Sequence, residues 1–150
     1  MRLDNEIFKC VVENTPLISI DIIIKKEDKI LLGKRKNKPA KNFYFTTGGR
    51  IFKNETINQA INRIAKEELN ITIDKNKLEF IGIFEYFYTD SIFDNISTHY
   101  INIAYFYEIE NKIELLPLEQ HSEYKWFSIE EIMKNDLVHK YVKDYFKGKE

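Results

Sequence analysis

A glycine and four ionisable side chains within one twenty-residue stretch have the types and spacing that chemistry can use. In GRIFKNETINQAINRIAKEE, Glu55 stands six residues after Gly49, Arg63 eight after Glu55, and Glu67 and Glu68 follow. The adjacent glycines Gly48 and Gly49 let backbone come close to a ligand or metal. Glu68 lies four residues after Ile64 and eleven after Ile57, which puts it on the apolar stripe of a helix. A carboxylate on a buried face must be paired or hold a metal. Arg63 and Glu67 form an i,i+4 pair. Ordinary helix ion pairs account for each residue taken alone but poorly for the set at this spacing, which leaves a ligand or metal site as the better reading.

Such a stretch works only if a strand, a tight turn and a helix hold it. The spacing predicts a helix over Thr56 to Leu69, with Ile57, Ala60, Ile61, Ile64, Ala65 and Leu69 on one face. Thr56 and Gln59 form a capping box at its start. Before it, Leu17 to Lys25 reads as a strand with Ile18, Ile20, Ile22 and Ile24 on one alternating face. Lys26-Glu27-Asp28 turns it into a returning strand, Lys29 to Arg35. Phe43 to Phe45 is a short strand leading into the glycines, after a polar loop containing Pro39. Asp4 caps a short N-terminal helix with Ile7, Phe8 and Val11 on one face. Phe80 to Tyr88 and Thr98 to Tyr107 read as strands joined by a polar loop, and Tyr124 to Phe127 as another. Ser128 and Glu131 open helical segments that run to about Phe146. Strands on both sides of a central helix give an α/β or α+β sandwich.

A chain of 150 residues is the size of a single domain, 1–150, and buries enough surface to need no staples. Lys plus Arg is 23 and Asp plus Glu is 24, a net charge of −1 that argues against nucleic acid and membrane surfaces as partners. Cys10, alone, excludes an internal disulfide. With no span-length apolar run and no signal-like N-terminus, a cytoplasmic location is expected. Only four arginines, Arg2, Arg35, Arg50 and Arg63, stand against 19 lysines. An arginine kept against that bias points to a need for its planar fork.

The spacing from Gly49 to Glu68 resembles the Nudix box, Gx5Ex7REUxEExGU with U a bulky aliphatic residue. Ile64 stands where the pattern has its first clustered Glu, and Asn70 where it closes on Gly. The longer stretches TPLISID, LLGKR, NKPAKNFYFTTGGR, THY and LPLEQHSEYKWFS resemble the GDP-mannose mannosyl hydrolase branch, which lacks that Glu. The resemblance covers nearly the whole chain. It implies a Nudix α/β/α sandwich with a mixed sheet. It also implies Mg2+-dependent hydrolysis of GDP-mannose or GDP-glucose by water attack at the anomeric carbon with inversion, with Mn2+ as the alternative cation.

By the same resemblance the metal falls to Glu68, Gln120 and backbone oxygen at Gly48 or Gly49, with Glu67 as a candidate additional ligand. His121 is the general base, its imidazole expected near the ordinary value of about 6.5. Arg35 and Arg50 neutralise the diphosphate, Tyr100 contacts it, Phe8 joins the substrate-binding set, and Asp21 lies near the sugar. Asp21 as a strand-edge charge and Tyr100 as a core residue are the alternatives. Arg63 is expected to pair with Glu carboxylates. Departures occur at Thr46-Thr47, at Tyr86, where some members carry His, and in the loop 89–97. The resemblance implies a homodimer, and the apolar Ile7, Phe8 and Val11 of the N-terminal segment offer a surface for packing on a partner. A diphosphatase that splits the phosphoanhydride, and a module that binds nucleotide sugars without turnover, are the competing functions.

Overall fold

The densest apolar run of the sequence forms the central strand, β1 (Leu17–Lys26), of a seven-stranded mixed sheet. The computed structural model describes residues 2–113, 117 and 121–148. Around β1 the chain builds α1 (Asn5–Asn14), β2 (Lys29–Arg35), β3 (Tyr44–Phe45), β4 (Thr47–Arg50) and α2 (Ile57–Leu69). After a 3-10 turn at Lys75–Lys77 come β5 (Leu78–Tyr88), β6 (Thr98–Glu108), β7 (His121–Ser128), α3 (Ile129–Lys134) and α4 (Lys140–Asp144).

β1 is buried on both faces because helices cover both. Ile20, Ile22 and Ile24 pack with Ile61, Ile64 and Leu69 of α2. Ile23 packs the other way, in a cluster with Ile132, Val142 and Phe146. This is the expected α/β/α sandwich. Ile18, expected on the buried face, is half-exposed because it lies beyond the reach of α2's apolar stripe.

β1 runs parallel to β6 from Leu17↔Tyr100 to Lys25↔Glu108, and β6 pairs antiparallel with the edge strand β5. With β2 it pairs only at the hairpin end, Lys25↔Ile30 and Lys26↔Lys29. Beyond that point the two strands part: β1 takes β4 as neighbour and β2 takes β7. Residues of these four strands line the cleft described below.

Both capping boxes form, Thr56 with Gln59 and Ser128 with Glu131, and Asp4 caps α1 through the Ile7 amide. Asn70 ends α2 in the left-handed region at φ 54°. Asn accepts that conformation at modest cost, so it replaces the closing Gly of the box without breaking the cap. The late helical segment is two short helices, with His139 capping the second.

Phe8 and Val11 are partly buried within the chain. They pack against Val12, Leu17, Ile96 and Phe93 of their own chain, which leaves Ile7 as the exposed member of the trio. Among the described residues no helix is long and apolar enough to cross a membrane.

Candidate active site

The glycine pair, expected to follow a strand, lies within one. Gly48 pairs with Asp21 and Gly49 with Ile20 across β4 and β1. A Cβ at Gly48 would lie 2.3 Å from Asp21 Oδ1 and 2.6 Å from the Ile20 carbonyl oxygen. Only glycine allows β4 this close to β1. Ile64, at the position of the missing box glutamate, is buried, with its Cγ1 3.2 Å from where a Gly49 Cβ would sit.

Glu55 and Arg63 are scaffold. Glu55 accepts the Phe52 amide at 2.7 Å and both Nε and Nη2 of Arg63 at 2.8 and 3.0 Å. Arg63 Nη2 also donates to the Arg50 carbonyl at 2.7 Å. The fork thereby ties the β4–α2 loop to the helix, and the Arg63 hydrogen bonds hold the Glu55 carboxyl below the usual range. Arg63 thus pairs with carboxylates, as expected. Glu67 turns to the same side, with Oε2 3.0 Å from Arg2 and 3.4 Å from Arg63. It is engaged by arginines, whereas Glu68 faces His121.

Glu68 is the carboxylate of the interior. Burial pushes it up to about 8, against the opposing pull of Arg35 and of the Gly48 amide. Its Oε2 is buried without a hydrogen-bond partner among the described residues, and so is His121 Nε2. The two residues approach at 3.6 Å, Nδ1 to Oε2. An orphaned carboxylate oxygen beside glycine backbone fits a hard cation. Among the described residues no three His, Cys, Asp or Glu side chains gather as a metal cage. A cation here would rest on Glu68, backbone oxygen and the ligand's own phosphates; Gln120, the other expected ligand, lies outside the described residues.

His121 was expected near its free pKa. It is instead the first residue of β7 and buried, and desolvation drives its imidazole down to about 4, so it is neutral at pH 7. Register explains its direction. β7 pairs Tyr124 with Gly33 and His121 with Arg35, so an extra residue bulges out of β7. That bulge turns His121 and Tyr124, three apart, to the same side. Tyr124 Oη lies 3.2 Å from His121 Nδ1 and donates to the Glu68 or Pro117 carbonyl at 3.1 and 3.0 Å. Tyr124 escaped the sequence reading, though it stands inside the quoted LPLEQHSEYKWFS stretch.

Gly33 makes room for this imidazole, since a Cβ there would meet His121 Cγ at 2.6 Å. Gly33→Ala should therefore displace the imidazole, lowering turnover by at least about 10-fold while costing about 1–3 kcal/mol of stability. Turnover together with a denaturant melt checks this; unchanged kinetics would mean that His121 takes no part.

Arg35 and Arg50 both line the cleft, with Gly48, Gly49 and Tyr100. Arg35 Nε is held by the Pro39 carbonyl at 2.8 Å. The Arg50 guanidinium lies between two aromatic rings, 4.8 Å from the Phe8 centroid and 5.0 Å from that of Phe52. These contacts fix the forks before any anion arrives. Phe8 thus reaches the cleft through Arg50, and Tyr100 lines it rather than serving only as core.

Asp21 is no strand-edge charge. It sits on the central strand, and burial pushes it up to about 7. Its unfolded-state counterpart ionises near 3.8, so the folded state loses stability as pH rises from about 4 to about 7. Asp21→Asn should remove that loss, gaining up to about 4 kcal/mol over wild type at pH 8 and little at pH 4. Urea midpoints of the two proteins across this range measure the gap; a gap that stays flat would contradict the burial argument.

Comparison with known proteins adds the following. The family description "NUDIX domain" matches residues 15–146. The chain is 38% identical over 130 residues to the low-salt glycan biosynthesis protein Agl8 of Haloferax volcanii, covering 84% of this chain and 80% of that one. It is 32% identical over 135 residues to the ADP-ribose pyrophosphatase of Methanocaldococcus jannaschii, covering 89% and 75%. The crystal structure of a MutT protein from Methanosarcina mazei Go1 superposes with a TM-score of 0.72 at 22% identity, covering 90% and 94%, a likeness of fold.

Proposed function

Since the chain belongs to the NUDIX family, we propose that it is a hydrolase of nucleoside diphosphate derivatives that cleaves a GDP-hexose, GDP-mannose or GDP-glucose. Water attacks the anomeric carbon, inverts it, and releases GDP and free sugar. The observation that carries this reading is the supply of acid. Glu68 is the box carboxylate left for a cation, because Ile64 is buried apolar surface and Glu67 is engaged by Arg2 and Arg63. Attack on phosphorus by a metal-activated water in a multi-metal site calls for several carboxylates. Departure of GDP from carbon calls for charge neutralisation on the diphosphate and a base for water.

Mg2+, or Mn2+ in its place, would supply Lewis-acid neutralisation of the diphosphate when bound at Glu68. Arg35 and Arg50 hold the phosphates, and Tyr100 lies beside them. His121 Nε2 takes the proton from the attacking water, while Nδ1 is oriented by Tyr124 Oη. Asp21 lies on the sugar side. The similarity to a protein named for glycan biosynthesis supports a sugar-linked substrate. The proposal retains a homodimer, with Ile7 as the most exposed apolar residue of α1 for such a contact.

One observation favours phosphoanhydride cleavage instead: the 32% identity to a protein named ADP-ribose pyrophosphatase. Incubation with GDP-mannose and Mg2+ separates the readings. GDP plus mannose supports the proposal; GMP plus mannose phosphate supports the second reading; no product from GDP-mannose, GDP-glucose or ADP-ribose leaves a binding module.

A further inference from the structure

A chain of buried polar groups from three strands and the end of α4 runs from the cleft wall, where Ser19, Asp21 and Tyr86 line it, to Asn102 and Tyr145 behind them. Ser19 Oγ donates to Asn102 Oδ1 at 2.7 Å, Asn102 Nδ2 donates to Tyr145 Oη at 2.8 Å, and Tyr145 Oη donates to Asp21 Oδ2 at 2.5 Å. The Tyr86 hydroxyl touches that of Tyr145 and donates to Asp21 Oδ2 at 3.4 Å. All five residues are buried, Asn102 completely. The donors run in one direction and converge on a single carboxylate oxygen. Apolar side chains would fill the centre of a sheet at lower cost than Ser, Asn and Asp. What the polar chain adds is direction. With Oδ2 tied from below, Oδ1 is held against Gly48, in the pocket that Arg35, Gly49 and Tyr100 also line.

We propose that Tyr145, backed by Asn102, is a positioning residue that orients Asp21 toward the hexose end of the substrate. The proposal rests on the GDP-hexose reading above and deepens it. Tyr145 lies 124 residues from Asp21 in the chain, so the C-terminal segment takes part in the site from the face of the sheet opposite α2, the face on which the Asp21 side chain lies. Its ring packs edge-on against Phe84 at 4.9 Å, a contact that Phe would keep.

The experiment is a double-mutant cycle on kcat and KM with GDP-mannose, GDP-glucose and Mg2+, with thermal melts as the fold control. Tyr145→Phe should lower kcat about 10-fold and change KM less than about 2-fold, since it removes one hydrogen bond to an acid and leaves the packing. Asp21→Asn should lower kcat further, and the double variant should match Asp21→Asn alone. Asn102→Ala should act in the same direction and lose its effect in the Asp21→Asn background. It carries the cycle if Tyr145→Phe fails to fold. Equal factors in both backgrounds, or a change in KM alone, overturn the positioning role in an active enzyme. A wild type inactive on GDP-hexoses but active on ADP-ribose overturns the substrate reading instead. The cycle is then read on ADP-ribose, where coupling of Tyr145 to Asp21 supports positioning and additivity overturns it. Inactivity on both classes overturns both.

Discussion

Glu68→Gln should lower kcat by about 10²–10³-fold, the scale of losing one preorganised electrostatic stabiliser of developing charge. The substitution keeps the shape and removes the charge that attracts a hard cation. Stability supplies the control. Burial holds the Glu68 carboxyl up near 8, so the folded state disfavours its ionised form at neutral pH. A neutral amide is therefore expected to leave the melting temperature unchanged or raised. Wild type should melt higher as Mg2+ is added, because a ligand of the native state stabilises it, and the variant should show little such rise. An unchanged rate and an unchanged response to Mg2+ would make Glu68 a structural residue and leave its unpartnered Oε2 unexplained.

His121→Ala should lower kcat by about 10²–10⁴-fold, the usual worth of a positioned general base, while the melting response to Mg2+ survives. Oxygen-18 from solvent water should enter the sugar and not GDP, and an α-linked donor should first give the β-sugar, because a single displacement inverts the centre. Label in a phosphate product would falsify attack at carbon and move the chemistry to phosphorus. The structure also revises the imidazole ionisation expected from the sequence. A free imidazole would titrate near 6.5, but burial takes His121 down to about 4. It is thus already uncharged across the neutral range, and Tyr124 fixes its Nδ1 side without needing a carboxylate partner.

Local rules were enough for much of this molecule. The two capping boxes, the Asp4 cap and the apolar stripe of α2 need only neighbours within four residues, and each formed where the sequence put it, except that Ile57 at the head of the stripe is exposed. The box spacing already placed Glu55, Arg63 and Glu68 on or beside one helix, and the stripe already turned Glu68 inward. The same local rule could not say what Glu67 meets. That depends on Arg2 as well as Arg63, and Arg2 lies 65 residues from Glu67 in the chain.

Pairing between distant strands decided the rest. No periodicity reveals that β1 leaves β2 after its hairpin end to take β4, yet that split brings Gly48 against Asp21 and makes Asp21 part of the floor. A strict alternation along β7 would have sent His121 and Tyr124 to opposite faces; the bulge opposite Gly33 and Arg35 turned them together. Tyr145 reads in sequence as one more aromatic near the end of a helix. Its tie to Asp21 exists because the C-terminal helices close over the face of the sheet that α2 leaves open. The sequence by itself determined which residues can do chemistry, because side-chain type and helical period are local. Which of them meet, at what burial and with what charge, belongs to the tertiary structure, because desolvation and strand register depend on residues far away along the chain.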